Sequence, residues 1–453
     1  MAAITPTIYA LASAHGRAGI AVIRISGPSA DHALQRLAPN LSEMPPPRYL
    51  QRVNLFDTES KNDQAPQQID QALAVRFPAP HSFTGEDVIE LHVHGGHAVI
   101  NALMTSLSSI ENLRPAEPGE FSRRAFENGK MDLTAVEAIA DLVDAETTAQ
   151  REQALTQMGG ALAKTYDGWR ERLVKAMAFA EASIDFAEED IPADLTQQSL
   201  DALSVLASEI RAHLSDGNIG ERIRDGFRIA LTGAPNVGKS SLLNAIAKRD
   251  VAIVSDIAGT TRDVIEVPMD LNGYAAVLID TAGLRESDDV IEREGVRRAI
   301  DQAATADLRL HLTDDKGALE AKELNDEIIQ VVNKCDLRPK DKATDVSDGV
   351  HYISAKTGFG LDGLIREIAD RISQQILRRS KASVPLTRAR HRHALVECVE
   401  ALDRALAGAK AGNDAEMMAE DVRVAAHALG GITGRVDVEE LLDRIFSDFC
   451  IGK

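Results

Sequence analysis

Apolar positions change their period twice along the chain. Up to about residue 118 they fall in short β-like runs, Gly19-Ile20-Ala21-Val22-Ile23-Arg24-Ile25, Ala72-Leu73-Ala74-Val75-Arg76-Phe77 and Val88-Ile89-Glu90-Leu91-His92-Val93, separated by turns, with Pro45-Pro46-Pro47 as a loop. That texture predicts an α+β module over 1–118. From about 120 to 215 the spacing becomes helical, as in Leu133, Val136, Ile139, Ala140 and Val143, and again in Leu173, Met177, Ala180 and Ile184. It stops at Ser215-Asp216-Gly217-Asn218, resumes near Arg388 and runs to about Phe446. The reading is therefore an all-α domain in two halves, 119–217 and 381–453, bracketing an inserted doubly wound α/β domain over 218–380. Insertion into a surface loop is tolerated when the guest's termini lie close together. The chain has no internal repeat and no low-complexity tract.

The inserted segment carries chemistry. Residues 233–240, Gly-Ala-Pro-Asn-Val-Gly-Lys-Ser, form a GxxxxGK[ST] loop between the strand-like run Phe227 to Thr232 and the helical spacing from Ser241 to Ile246. Gly233 and Gly238 let backbone N–H groups curl around a phosphate at a helix N-terminus, with Asn236, Val237 and Ser241 completing the cradle. Lys239 would reach the β- and γ-phosphates, and Ser240 would ligate Mg²⁺. After the apolar run Ala275 to Ile279 comes Asp280-Thr281-Ala282-Gly283, where the carboxylate can hold the metal's water shell and the glycine N–H can meet the γ-phosphate. Asn333-Lys334-Cys335-Asp336 follows Ile328 to Val332. Its aspartate can accept both guanine N1–H and the exocyclic amine, a donor pair adenine lacks. Ser354-Ala355-Lys356 would close over the base. The ordered set points to a GTP-binding P-loop domain of Ras-like fold.

Where Ras-like enzymes place a water-orienting glutamine after Asp-Thr-Ala-Gly, this chain has Leu284. Another group must orient the water, and Glu286, Asp288, Asp289, Glu292 and Glu294 are the nearby carboxylates. Asn236 offers an oxygen near the phosphates where a monovalent cation could supply the charge an arginine supplies elsewhere.

Composition narrows the setting. At 453 residues and 44% hydrophobic content, two or three packed domains are expected. Aromatic residues make up only 4%, which argues against stacked-base readers of single strands. The three cysteines, Cys335, Cys398 and Cys450, are odd in number and far apart, which suggests a reducing cytoplasmic setting. His15 and Arg17 interrupt the mildly apolar N-terminus, so no signal sequence and no membrane span is expected. A net charge of −20 opposes broad nucleic-acid affinity. The densest basic patch, Arg388 to His393, reads equally as a solvated helix start or as an RNA or partner contact. His92, His94 and His97 invite a metal, but no carboxylate or cysteine completes a shell. Gly431-Ile432-Thr433-Gly434 reads as a turn rather than an RNA-binding GxxG loop.

Several segments together resemble one family. Asn236 in its loop, Gly259-Thr260-Thr261-Arg262-Asp263, Asp280-Thr281-Ala282-Gly283-Leu284-Arg285-Glu286, Phe83-Thr84-Gly85-Glu86-Asp87, Pro118-Gly119-Glu120-Phe121-Ser122 and the terminal Phe449-Cys450-Ile451-Gly452-Lys453 are similar to the MnmE (TrmE) family of bacterial tRNA-modification GTPases. The resemblance spans nearly the whole chain. It implies a homodimer that acts with a FAD-dependent partner of the MnmG (GidA) type on the wobble uridine of certain tRNAs. The modification is a carboxymethylaminomethyl or aminomethyl group built with a 5-formyl- or methylene-tetrahydrofolate unit bound in residues 1–118. By motif, Arg24, Glu90, Lys130 and Lys453 resemble folate-contacting positions. Asn236, Ser255, Ile257 and Thr260 resemble those holding K⁺, with Asp256 among them on the nucleotide loop, and Ser240 and Thr261 those holding Mg²⁺. Glu292, in Glu-Arg-x-Gly, resembles the water-activating glutamate, and Cys450 is the candidate nucleophile. The alternatives are an RNA-binding ribosome-assembly switch, which predicts a basic RNA-binding module, and a dynamin-type membrane GTPase, which predicts an amphipathic basic stretch. One region departs from the pattern. Between Gly283 and Asn333 the chain is short, its helix is expected near Ala318 to Asn325, and Arg309 and His311 fall in an expected buried central strand.

Overall fold

The computed structural model describes residues 5–58, 66–185, 193–215, 218–253, 266–280, 306–314, 327–337, 346–347, 349–379, 384–411, 415–436, 442–443, 445–446, 449 and 452. Two compact units divide the chain, Met1–Ala140 with Thr433–Lys453, and Asp141–Ile432.

The first unit begins β1 (Thr7–Leu11), β2 (Ala18–Ser26), α1 (Ala30–Leu37), β3 (Gln51–Phe56), β4 (Gln68–Phe77), β5 (Val88–Gly95), α2 (His97–Ser108), β6 (Leu113–Pro115), α3 (Glu120–Glu127) and α4 (Leu133–Asp144), whose last turn from Asp141 belongs to the second unit. Its six-stranded sheet runs β3-β4-β5-β2-β1-β6, antiparallel except for the β1–β6 pair. Alternation sends Ile23, Ile25, Leu55, Ala74, Ile89 and Leu91 into one core with Leu34, Leu37, Leu103 and Leu107 of α1 and α2. The residues between them, Arg24 and Glu90 included, lie on the opposite face, where the register pairs Arg24 with Glu90. The C-terminal stretch packs here too, with Leu442 and Phe446 against Leu133 and Val136 of α4.

Gly452 fixes the tail. It sits at φ +99°, and a Cβ there would lie 2.1 Å from the carbonyl oxygen of Leu11. Gly452→Ala is therefore expected to lift the C-terminal residues off β1 at a cost of about 1–3 kcal/mol. Trypsin should then release the terminal peptide faster, and wild-type cleavage rates would show that the glycine is dispensable.

The second unit starts with three helices, α5 (Thr148–Met158), α6 (Ala161–Asp185) and α7 (Ala193–Leu214). The chain then passes through α8 (Ile219–Asp225) into β7 (Phe227–Thr232), α9 (Lys239–Ile246), β8 (Glu266–Leu271), β9 (Tyr274–Asp280), β10 (Leu308–Thr313), β11 (Ile328–Val332), β12 (Val346–Ser347), β13 (Val350–Tyr352) and α10 (Leu361–Arg379). It returns in α11 (Ala389–Ala411) and α12 (Ala415–Thr433). The sheet order is β12-β13-β11-β10-β7-β9-β8, parallel apart from its two edge strands. Strand order reverses beside β7, the switch point at which doubly wound sheets bind ligands. Leu162, Tyr166, Leu173, Leu206 and Ile210 share a core with Leu395, Cys398, Leu402 and Leu429, so helices before and after the sheet domain are packed as one body. Burial pushes the Cys398 thiol up to about 12, so this cysteine serves as a core side chain.

Three sequence expectations change. The basic patch is neither solvated nor displayed: Arg388 pairs with Asp141 at 2.6 Å, Arg390 donates to the carbonyls of Gly431 and Ile432, and Arg392 pairs with Glu221 and donates to Leu214 O. Two of these arginines thus serve the last carbonyls of α12 and α7, groups a helix end leaves without partners. Residues 431–433 are the last turn of α12 rather than a loop, with Gly434 at φ +81° just beyond. Strand β10 is central, yet only Leu308, Leu310 and Leu312 enter the main core; Arg309 and His311 lie half-buried on its other face. The expected helix near 318–325 lies outside the described residues.

Candidate functional site

The end of β7 opens into the phosphate loop because the sequence there suits no regular element. Gly233 stands at φ +131°, where a Cβ would meet Leu312 O at 2.1 Å, Asn236 at φ +64° and Gly238 at φ +102°. The chain therefore turns back over β10 before α9 begins at Lys239. Lys239 folds over the loop and donates to the carbonyls of Gly233 and Ala234 at 2.7 and 2.9 Å. It is 6% exposed. Burial lowers its pKa against the smaller opposing pull of Asp280. A buried ammonium held by neutral backbone carbonyls suits an anion as its partner.

Ser240, the second residue of α9, donates its hydroxyl to Asp280 Oδ2 at 2.6 Å. Asp280 closes β9 and is 2% exposed. The parallel β7–β9 register, which sets Leu231 opposite Asp280, brings the two oxygens together. An oxygen-only pair of one hydroxyl and one carboxylate suits a small hard cation.

Asn333 organises the base end. Only 4% exposed, it donates from Nδ2 to Val237 O at 3.0 Å and accepts the Ala355 N–H at Oδ1 at 3.1 Å, tying the phosphate loop to the loop after β13. Lys334 Nζ reaches Asn236 O at 2.6 Å. Ser354 donates to Asp336 Oδ1 at 2.7 Å and accepts the Thr357 N–H. Asp336 and Lys356 are exposed, and Cys335 is intermediate. Of the nucleotide residues expected from sequence, Gly233, Asn236, Val237, Gly238, Lys239, Ser240, Ser241, Asp280, Asn333, Lys334, Asp336, Ser354, Ala355 and Lys356 stand at the C-terminal ends of β7, β9, β11 and β13 or on the loops and first helical turns that follow them. Ser255, Asp256, Ile257, Thr260, Thr261, Thr281, Ala282, Gly283, Glu292, Cys450 and Lys453 lie outside the described residues. Arg249 was missed. It donates to Gly358 O at 3.3 Å and pairs with Asp362, bracing the base loop, but an arginine just beyond a helix carries no signal in one sequence.

In the first unit Arg24 and Glu90 form an ion pair at 2.9 Å. The Arg24 guanidinium lies 5.1 Å from the centroid of the Phe83 ring and 5.6 Å from that of Phe121. Lys130 is exposed and holds Pro80 O at 2.8 Å, on the loop that carries Phe83. A carboxylate and a guanidinium framed by aromatic rings suit a flat heterocycle with N–H donors. Sequence reading named Arg24, Glu90 and Lys130 but not the two flanking rings. His94 pairs with Asp70, and His92 lies 3.7 Å from Glu90; no cluster able to hold a metal occurs among the described residues. No helix among them is long and apolar enough to cross a membrane.

Two family models match the chain. A family model for the MnmE helical domain matches residues 133–450, and one for the N-terminus of the GTP-binding protein TrmE matches 7–130. A tRNA modification GTPase MnmE from Parvibaculum lavamentivorans is 52% identical over 99% of this chain and all of its own length. Its namesake from Paramagnetospirillum magneticum is 53% identical over the same shares. A crystal structure of Aquifex aeolicus Era bound to GDP and AlF4⁻ is 25% identical over 38% of this chain and 66% of its own, with a TM-score of 0.25, a likeness too slight to argue from.

Proposed function

Because this chain belongs to the MnmE (TrmE) family, we infer that it hydrolyses GTP and that hydrolysis serves tRNA modification. The observation that carries the inference is the Asn333 side chain, which joins the phosphate loop to the loop after β13 and so brings the anion site and Asp336 into one site. Two-point recognition of guanine and phosphate requires that connection.

In this reading Gly233 to Ser241 bind the phosphates, Lys239 neutralises the β- and γ-phosphate charge, and Asp336 with Ser354 to Lys356 selects guanine. Ser240 and Thr261, with Asp280 through water, would hold magnesium, which would supply further charge neutralisation. Asn236, Ser255, Ile257 and Thr260 would hold potassium, which would supply positive charge in a chain that has Leu284 in place of the glutamine. Glu292 orients the attacking water. Residues 218–380 are the GTPase domain, inserted between helical segments 119–217 and 381–453, and 1–118 form the folate-binding and dimerising domain. Arg24, Glu90 and Lys130, with Lys453, hold a tetrahydrofolate one-carbon donor. The framed guanidinium and carboxylate support that assignment. Cys450 acts at the modification step, in a cytoplasmic homodimer working with a FAD-dependent partner on tRNA.

The test is the steady-state GTPase rate of the chain in KCl and in NaCl at equal ionic strength with magnesium, for the wild type and for Glu292→Ala. The wild type is expected to be faster in KCl by at least about tenfold, the scale of one well-placed charge. The variant is expected to bind GTP and turn over in neither salt. Equal rates in both salts would remove the potassium role, and full turnover by the variant would remove that of Glu292.

A further inference from the structure

The β8–β9 hairpin has the phosphate site at one end and a helix of the surrounding helical body at the other. Asp280 ends β9 beside Ser240, while Gly273 forms the turn between the strands at φ +88°. The turn is held from within by Gly273 N–H donating to Asp270 Oδ1 at 2.6 Å. From outside it is held by α5. The Thr147 side chain caps that helix, and Gln150 returns the capping interaction by accepting the Thr147 N–H at 3.0 Å. The first N–H groups of a helix have no partner within it. The one at Ala149 donates to Gly273 O at 2.9 Å, and a Cβ on Gly273 would stand 3.6 Å from Thr148 Cβ.

Neighbouring contacts show what is fixed around this bond. Gln150 Nε2 donates to Arg224 O at 2.9 Å and Gln153 Nε2 to Gly220 O at 3.1 Å, so α5 also grips α8, the segment leading into β7. Asp141 pairs with Arg224 at 2.9 Å and with Arg388 at 2.6 Å, joining the two places where the chain passes between helical body and sheet. Gly220 is pressed on Leu386, where a Cβ would lie 2.0 Å from the carbonyl oxygen. Arg222 pairs with Asp307 beside β10 at 2.5 Å. Strand β7 is thus anchored many times over. The hairpin turn is held differently: β8 is the edge strand, met on its outer side by residues 251–253, with Asp270 N–H donating to Val251 O at 2.8 Å and Ile253 N–H to Pro268 O at 2.9 Å.

We propose that the hydrogen bond from Ala149 N–H to Gly273 O couples occupancy of the phosphate site to the helical body, with the hairpin as a lever about 20 Å long. The proposal rests on the GTP-binding reading. Filling that site reassigns both partners of the Ser240–Asp280 bond, since the hydroxyl oxygen turns to a cation and the carboxylate to that cation's water. The end of β9 must then adjust. A strand is stiff along its length, so the adjustment reaches the turn, where α5 meets it through the Ala149–Gly273 hydrogen bond.

Hydrogen exchange on the full chain, read at single-residue resolution with magnesium, without nucleotide and with a non-hydrolysable GTP analogue, tests this. Exchange at Ala149 is expected to differ between the two states by about tenfold, the scale of one hydrogen bond made or lost. Equal exchange, in samples where displacement of a fluorescent guanine nucleotide shows the analogue bound, would overturn the proposal and leave the GTP-binding reading standing. Failure to bind the analogue would overturn both. Ala149→Pro removes the donor at a place where a helix tolerates proline, within its first turn. It is expected to keep nucleotide affinity and to abolish the nucleotide-dependent exchange difference in α6 and α7. A difference that survives in the variant would overturn the coupling role.

Discussion

Asp336→Asn is expected to weaken GTP binding by about two to four decades and to raise affinity for xanthosine triphosphate. The carboxylate at 336 accepts the Ser354 hydroxyl through Oδ1 at 2.7 Å, which fixes its rotamer and leaves acceptor capacity for a base. Guanine offers two donors side by side, N1–H and the exocyclic amine. Each hydrogen bond to a charged acceptor is worth about 1.5–3 kcal/mol, so losing two moves affinity by the stated amount. An asparagine presents one acceptor and one donor, and its NH₂ meets the guanine amine as donor against donor. Xanthine carries a carbonyl where guanine carries that amine, and so pairs with the asparagine completely. Competition against a fluorescent guanine nucleotide reads both affinities. A variant that still prefers GTP would show that Asp336 does not read the base.

The geometry that was legible in the sequence is that of segments in which local order and chemistry coincide. Gly233, Gly238 and Lys239 are close in sequence, and a loop with two left-handed glycines before a helix folds in few ways, so its geometry was legible. The link between that loop and the base end was not. Asn333 is nearly a hundred residues beyond Val237, and only the parallel order β10-β7 and β10-β11 brings them within 3.0 Å. The basic patch was misread for a similar reason. Clustered arginines in a sequence look like a surface, yet Arg388, Arg390 and Arg392 are each drawn inward, two of them by the carbonyls of distant helix ends and one by Asp141. Helical periodicity places α11 but cannot say which of its polar residues meet other helices. Arg309 and His311 taught the reverse lesson. A central strand need not be apolar on both faces when alternation supplies Leu308, Leu310 and Leu312 to one core. Phe83 and Phe121 were quoted as parts of motifs, but their approach to Arg24 depends on a loop and a helix start meeting over β2.

Lys239→Met should separate binding from stability in opposite directions. The ammonium is 6% exposed and donates to the carbonyls of Gly233 and Ala234. Burial lowers its pKa, with Asp280 opposing more weakly. A lysine whose folded pKa lies below its unfolded value costs stability at every pH below both values, because the unfolded chain holds the proton more readily. That cost is therefore fully present at neutral pH, and it vanishes only as pH rises through the lysine range. Methionine keeps the apolar length of the side chain and removes the charge, so the unliganded melting temperature is expected to stay level or rise by about 1–4 °C. GTP affinity is expected to fall by at least about a hundredfold, since two charge-assisted contacts to phosphate are lost. The stabilisation that saturating GTP gives the wild type should shrink accordingly. A variant that melts several degrees lower without nucleotide would show that Lys239 secures the loop's own fold. One that binds GTP as tightly as the wild type would show that the ammonium does not face the phosphates.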